Sequence, residues 1–311
     1  MNQVRVEAVT APAKINLALR VGSRQADGFH PLNSLFHAID LPERVTVRAL
    51  DGPEDRLTVT GLGAAGVPLD ASNLALAAAA RLRAAAGIRQ GAAIAIEKGI
   101  PVAGGLAGGS ADAAAALAAL NRLWGLGYDL GRLIELGLAV GSDVPFALMG
   151  GSAIGTGRGE HLTPVAGQGR LHWVLLTSRQ GLSTPAVFRQ FDAMVGAGAL
   201  TGPHAAAGRG GPPPIPEALV AGLTAGDPAQ VGTHLVNDLQ PAALALRPEL
   251  ADGLAAALAA GALGAVVSGS GPTIAALAAG PDQAAELAAT LAAQRVCDAV
   301  LTATGPAPGA Y

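Results

Sequence analysis

Apolar and polar residues alternate over residues 4–9, and a largely apolar stretch follows over residues 15–21. Alternation predicts a strand with one buried face, and a short apolar run bounded by turn residues predicts a strand buried on both. Two β-branched runs, Val45-Thr46-Val47 and Leu57-Thr58-Val59-Thr60, extend this strand-rich opening. The pattern then changes: Ser72-Asn73 predicts an N-cap for an alanine-rich helix through Ala86, stopped by Gly87. A short strand over residues 92–97 leads into a glycine-rich loop at 101–109. Ser110 is expected to cap a long apolar helix to about Trp124, and Asp129 another ending near Val140.

Strand-like pieces follow near Ala153 and over residues 171–177. Residues 196–216, rich in glycine, alanine and proline, predict a surface loop. Helices are expected over most of the chain to Ala260. Two short buried strands at 265–268 and 273–278, a helix at 282–294 and a last strand at 299–303 complete the pattern. No internal repeat is present. A strand-rich first half and an α+β second half place a domain boundary near residue 160, giving units 1–160 and 161–311.

Composition narrows the function classes. The 311 residues suit two modest domains, and half of them are apolar. With 14% charged residues and a net charge of −3, no polyanion-binding surface is expected, so nucleic acid is not a predicted partner. Aromatics at 3% leave the core to alanine, leucine and valine. The single cysteine, Cys297, excludes a disulfide framework and a cysteine zinc site. No signal peptide is legible before Thr10, which points to the cytoplasm. The stretch between Asp252 and Asp282 has no charge, long enough to suggest a membrane span. Its centre, Ser268-Gly269-Ser270-Gly271-Pro272-Thr273, argues against one, because such a run would leave backbone groups unpaired in lipid.

Candidate chemistry begins in the loop Pro101-Val102-Ala103-Gly104-Gly105-Leu106-Ala107-Gly108-Gly109, which runs into Ser110 and Ala111. Glycines let backbone N–H groups turn toward a ligand, and a helix N-terminus adds partial positive charge, the chemistry a phosphate needs. The loop lacks the lysine of a P-loop, and its plain alternative is a flexible strand-to-helix connection. Asp112 would repel phosphate, so it should face away or be screened by Mg²⁺. Gly61-Leu62-Gly63-Ala64-Ala65-Gly66 matches a dinucleotide fingerprint, but no helix opens at its last glycine.

Of twenty basic residues, Lys14 and Lys98 are the only lysines. Alternation places Lys14 and Asn16 on one strand face, either solvated or aimed at a reacting phosphoryl group. Asp143, in Gly141-Ser142-Asp143-Val144-Pro145-Phe146, reads either as a helix cap or as a proton acceptor for an attacking hydroxyl. Alone, Asp27-Gly28-Phe29-His30 reads as a surface turn.

Three segments in this order, Ala13-Lys14-Ile15-Asn16-Leu17, Gly109-Ser110-Ala111-Asp112-Ala113 and Ser268 to Thr273, resemble the superfamily of galactokinase, homoserine kinase, mevalonate kinase and phosphomevalonate kinase, the GHMP kinases. The resemblance implies an α+β, mixed α/β chain with a ribosomal-protein-S5-like first domain and a ferredoxin-like second domain. Arg24, the Asp27-to-His30 turn and the Gly141-to-Phe146 segment are most similar to the branch that phosphorylates a cytidyl-diphosphate alcohol on the non-mevalonate route to isopentenyl diphosphate. Homoserine, mevalonate or a sugar remains the alternative alcohol, and an S5-like RNA-binding protein the non-enzymatic one.

The same resemblance implies Lys14 and Asp143 as the catalytic pair. It implies ATP, with Mg²⁺, on residues 101–111, and the alcohol on Asn16, Phe29, His30, Phe188, Ser268, Gly269, Ser270 and Gly271. His30 would hydrogen-bond the cytosine between Phe29 and Phe188, and the third segment would brace the loop. Its Mg²⁺ ligands are undefined, since Ala111 replaces a serine common in the superfamily. A monomer or weak homodimer is expected. Departures at Leu41-Pro42-Glu43 and Gln240 fall outside the chemistry implied.

Overall fold

A computed structural model describes residues 5–311; residues 1–4, including the first residue of the opening predicted strand and the first four residues of the stretch read for a signal peptide, lie outside it. The first half opens with β1 (Val6–Val21), β2 (Leu32–Ala49) and β3 (Arg56–Gly61), then α1 (Leu74–Ala86) and β4 (Ala92–Lys98). Helices α2 (Gly108–Leu123), α3 (Leu130–Leu138) and α4 (Val144–Met149) follow, and the hairpin β5 (Ser152–Gly157) and β6 (His161–Pro164) closes this half. The second half runs β7 (Leu171–Thr177), α5 (Thr184–Gly196), α6 (Glu217–Ala225), α7 (Pro228–Thr233), β8 (Val236–Asn237), α8 (Gln240–Leu246), α9 (Glu249–Ala259), β9 (Gly264–Val267), β10 (Ile274–Ala278), α10 (Pro281–Gln294) and β11 (Ala299–Gly305).

The two strands expected at 4–9 and 15–21 are one strand. Pro12 stands opposite Pro42 in the β1–β2 ladder, and the register shifts just after it. Neither proline has an N–H to donate, so the ladder slips there instead of ending. β2 is far longer than its Val45-Thr46-Val47 segment suggested, because Pro42 and the polar residues beside it break the alternation in sequence but not the pairing. Along one side it pairs with β1; along the other it pairs with β5 through Leu32 to His37 and with β4 through Arg44 to Ala49. Its sheet reads β3-β4-β2-β1-β8, with β5 and β6 attached. The expected division at residue 160 falls inside the β5–β6 hairpin, and β8 joins the first sheet in parallel to β1 from the second half of the chain.

The second sheet is antiparallel in the order β11-β7-β10-β9. With β7, β9, β10 and β11 numbered first to fourth along the chain, the order across the sheet is fourth, first, third, second, the ferredoxin-like arrangement. The structure is thus a mixed α/β chain of two sheet-based halves, and no helix of the described residues is long and apolar enough to cross a membrane.

Helix ends follow the sequence closely where a side chain sets them. Asn73 accepts from Ala75 N at 2.9 Å to start α1, Gly87 ends it at φ 65°, and Asp129 accepts from Arg132 N at 2.8 Å to start α3. α2 differs. It begins at Gly108, with Ala107 as N-cap at φ 60° and no side-chain cap, so Ser110 lies inside the first turn instead of capping it. Every residue from Ala111 to Asn121 is buried. Alanines let α2 approach α1 and the β1–β2 face closely, while Leu117 and Leu120 supply bulk; truncating such a leucine costs about 2–5 kcal/mol.

Candidate active site

A cavity of about 930 Å³ opens where β1, the glycine-rich loop, the Asp143 turn, the first turns of α5 and the Ser268-to-Thr273 turn meet. Lys14 projects into it from β1. Its Nζ donates to Asn16 Oδ1 at 2.7 Å, lies 3.9 Å from Asp143 Oδ2 and stands 5.7 Å from the Phe36 ring centre. Burial lowers the ammonium below the usual lysine range, and the Asp143 carboxylate pulls it partly back. Asn16 in turn donates to Ser34 Oγ at 2.7 Å, which fixes the amide. Asp143 stands at the N-terminus of α4 but makes no capping hydrogen bond, and its side chain keeps 29% exposure toward the cavity. A cap would spend the carboxylate on backbone; this one is free.

The loop is held by its carbonyls. Gly104 O accepts from Thr273 N at 3.2 Å, Gly105 O from Ser268 Oγ at 3.1 Å and Leu106 O from Lys14 N at 3.2 Å. None of the backbone N–H groups from Gly105 to Ser110 donates to another backbone group in the described residues. Donors turned away from the protein at a helix N-terminus form a ready anion site. Ala103 (φ 54°) and Ala107 (φ 60°) are both left-handed, a conformation costing an alanine about 1 kcal/mol or more. At Gly105 a Cβ would lie 2.1 Å from Ser268 O, so only glycine permits this contact between the two halves. Ala103, Gly104, Gly105, Ala107, Gly108 and Gly109 line the cavity. Pro101, Leu106 and Ala111 are buried, and Val102 packs where a Gly63 side chain would otherwise stand. That packing, with Gly61 pressed against Lys98, gives the rejected fingerprint glycines their use.

Of the residues expected on the alcohol, Asn16, Phe29, His30, Phe188, Gly269, Ser270 and Gly271 line the cavity, whereas Ser268 is fully buried as a brace for Gly105. Phe29 is 52% exposed with the Arg158 guanidinium 3.7 Å from its ring centre. Phe188 stacks on His30 itself, centroids 4.9 Å apart at 27°, and His30 Nε2 sits 2.7 Å from Asp192 Oδ1. Each aromatic therefore already has one face covered by a protein group.

Several lining groups carried no sequence signal: Arg158 in the β5–β6 turn, Arg189, and Asp192. Asp192 follows Phe188 by four positions on α5, a spacing that puts both on one helix face. Asn237, in the segment that ends at Gln240, had no role read for it; its Nδ2 donates at 2.7 Å to both Val267 O and Gly269 O and so shapes the third segment. Although the whole chain is slightly acidic, Lys14, Arg24, Arg158 and Arg189 face Asp143 and Asp192 around this cavity. That balance favours an anionic ligand.

Asp112 faces away from the loop, as its charge required. With Glu43 it holds Lys98 in a buried triad: Lys98 Nζ lies 2.6 Å from Asp112 Oδ2 and 2.5 Å from Glu43 Oε1, and Glu43 Oε2 accepts from Gly99 N at 2.8 Å. The position set aside as a departure thus supports the strand that feeds the loop. No group of three histidine, cysteine or acidic side chains among the described residues could hold a metal ion.

Sequence models of the GHMP kinase N-terminal and C-terminal domains match residues 73–151 and 219–296. A 4-diphosphocytidyl-2-C-methyl-D-erythritol kinase of Thermobifida fusca is 50% identical, covering 100% of this chain and 99% of its own. The enzyme of that name from Nocardia farcinica is 48% identical, covering 97% and 94%. A crystal structure of 4-(cytidine 5'-diphospho)-2C-methyl-D-erythritol kinase is 33% identical with a TM-score of 0.76, covering 96% of this chain and 98% of its own. An L. major mevalonate kinase with R-mevalonate reaches a TM-score of 0.77 at 17% identity, covering 99% and 98%, a likeness of fold.

Proposed function

The chain belongs to the GHMP kinases, and from that premise we propose that it transfers the γ-phosphoryl group of ATP to the free 2-hydroxyl of 4-diphosphocytidyl-2-C-methyl-D-erythritol, in the non-mevalonate synthesis of isopentenyl diphosphate. ATP is the co-substrate of a GHMP kinase. The observation that carries the reading is the Lys14–Asp143 pair, 3.9 Å apart on the cavity that the glycine-rich loop also lines. Asp143 takes the proton of the attacking hydroxyl. Lys14 holds that carboxylate in place and offsets negative charge on the reacting oxygens. The free N–H groups of the loop and the α2 N-terminus carry the phosphates in line for transfer.

Mg²⁺ fits this site only as an ion carried by the phosphates. Mg²⁺ keeps several waters and commonly takes one or two carboxylates beside substrate phosphates. Asp143, which lines the cavity together with the loop, is the protein carboxylate that would face it. Bound there it would offset phosphate charge. At the other end of the cavity, Phe29, His30 and Phe188 suit a pyrimidine, since base–aromatic stacking is worth about 1–3 kcal/mol per base. The enzyme is read as cytoplasmic, a monomer or weak homodimer, with no nucleic-acid or membrane partner.

The test is direct. Purified protein with ATP and, separately, the cytidyl alcohol, homoserine and mevalonate should phosphorylate the cytidyl alcohol alone. Turnover confined to homoserine or mevalonate would overturn the assignment and leave the Asp27-to-His30 turn without a base to read.

A further inference from the structure

His30 is fixed on three sides. Phe188 covers one ring face, Phe191 meets it edge-on with centroids 5.8 Å apart at 81°, and Asp192 Oδ1 lies 2.7 Å from Nε2. A carboxylate can only accept, so the proton of a neutral imidazole stands on Nε2, and the other nitrogen carries a lone pair. Nδ1 makes no hydrogen bond among the described residues, yet it is not among the fully enclosed polar atoms left without a partner. His30 and Asp192 both line the cavity.

We propose that Asp192 is a positioning residue that holds His30 in its Nε2–H form, so that Nδ1 accepts from the exocyclic amine of a cytosine and repels the carbonyl oxygen that a uracil presents there. This inference rests on the cytidyl reading above. A site committed to accepting a hydrogen bond discriminates strongly, because the wrong base faces it with a second acceptor and leaves both lone pairs unpaired. The covered faces of Phe188 and His30 add to this. With the ring unable to turn, its hydrogen-bonding edge cannot be exchanged to suit another base.

Two measurements test it. In ¹⁵N-labelled free protein at pH 8, with His30 resonances assigned by loss in His30→Gln, long-range ¹H–¹⁵N spectra should show protonated Nε2 and bare Nδ1; an Nδ1–H form or an imidazolium would overturn the proposal, and this readout needs no substrate. Second, kcat/KM should be measured for the cytidyl alcohol and its uridyl analogue. Asp192→Ala should lower the cytidyl-to-uridyl ratio at least about tenfold, mainly through a higher KM for the cytidyl alcohol, with the KM for ATP unchanged. An unchanged ratio, or equal losses for ATP and alcohol, would reduce Asp192 to a structural anchor for α5. If wild-type protein fails to use the cytidyl alcohol, the substrate assignment falls, while the spectra still decide the tautomer.

Discussion

The chain's two lysines are both buried, and they are arranged for opposite ends. Lys98 has carboxylates at 2.5 and 2.6 Å, all three members of its triad almost free of solvent, and it does not line the cavity that Lys14 enters. Lys14 has one amide at 2.7 Å, one carboxylate at 3.9 Å and an opening onto the cavity. Lys98 is saturated by fixed anions; Lys14 is under-supplied and has charge to offer a ligand. The contrast shows how one residue type serves structure or chemistry according to how many anions the fold gives it.

The largest effect should come from breaking the under-supplied pair. Asp143→Asn should lower kcat by about 10²–10⁴-fold, the usual worth of a general base, with the urea midpoint hardly moved. Lys14→Met should also lose kcat while folding normally. Full turnover by either variant would remove the pair from the chemistry. The saturated lysine should behave in reverse. Lys98→Met leaves two carboxylates buried without a cation and should cost about 3–5 kcal/mol in urea unfolding, while folded protein keeps its kcat within a few-fold. A stability loss below about 1 kcal/mol would contradict the structural role.

The triad also has a pH signature. Burial, with the Asp112 charge adding, lifts the Glu43 carboxyl from about 4.5 to about 7 against the pull of Lys98; Asp112 is raised by burial as well. Between those values the folded chain binds more protons than the unfolded one, so stability falls as pH rises from about 4.5 to about 7, by at most about 1.4 kcal/mol per pH unit for one carboxyl. Urea midpoints at pH 5 and 7.5 should show the fall in wild type, and Glu43→Gln should flatten it. Equal slopes in the two proteins would assign the effect elsewhere. The smallest change belongs to an exposed pair: Arg132, 2.7 Å from Glu135 on α3, should be replaceable by alanine within about 0.5 kcal/mol. A larger loss there would weaken the claim that burial separates these cases.

These regions were unequally legible in sequence. Lys14 and Asn16 could be placed on one face because the pleat of β1 fixes it, and the glycine loop because its composition is so unusual. Asp143 had the right chemistry at the wrong scale, since its partner comes from a distant strand and only the fold brings them together. Glu43 was set aside as a departure with no role, because one acid beside Pro42 looks like a solvated position. The start of α2 was misplaced because sequence favours serine as a cap and gives no reason to expect a left-handed alanine at 107. β8 is two residues long, below what any periodicity can register, yet it pairs with β1 at Ala18 and Leu19.

The three carbonyl contacts at Gly104, Gly105 and Leu106 have a thermodynamic consequence. They come from a strand at the start of the chain and a turn near its end, so the cradle takes its final shape when the protein folds, before any nucleotide arrives. For a phosphate seated there as proposed, little loop entropy would be left to lose on association, and the attraction of the amides would appear as affinity. Loosening the clasp at Ser268 would turn a rigid receptor into one that must be ordered by its guest.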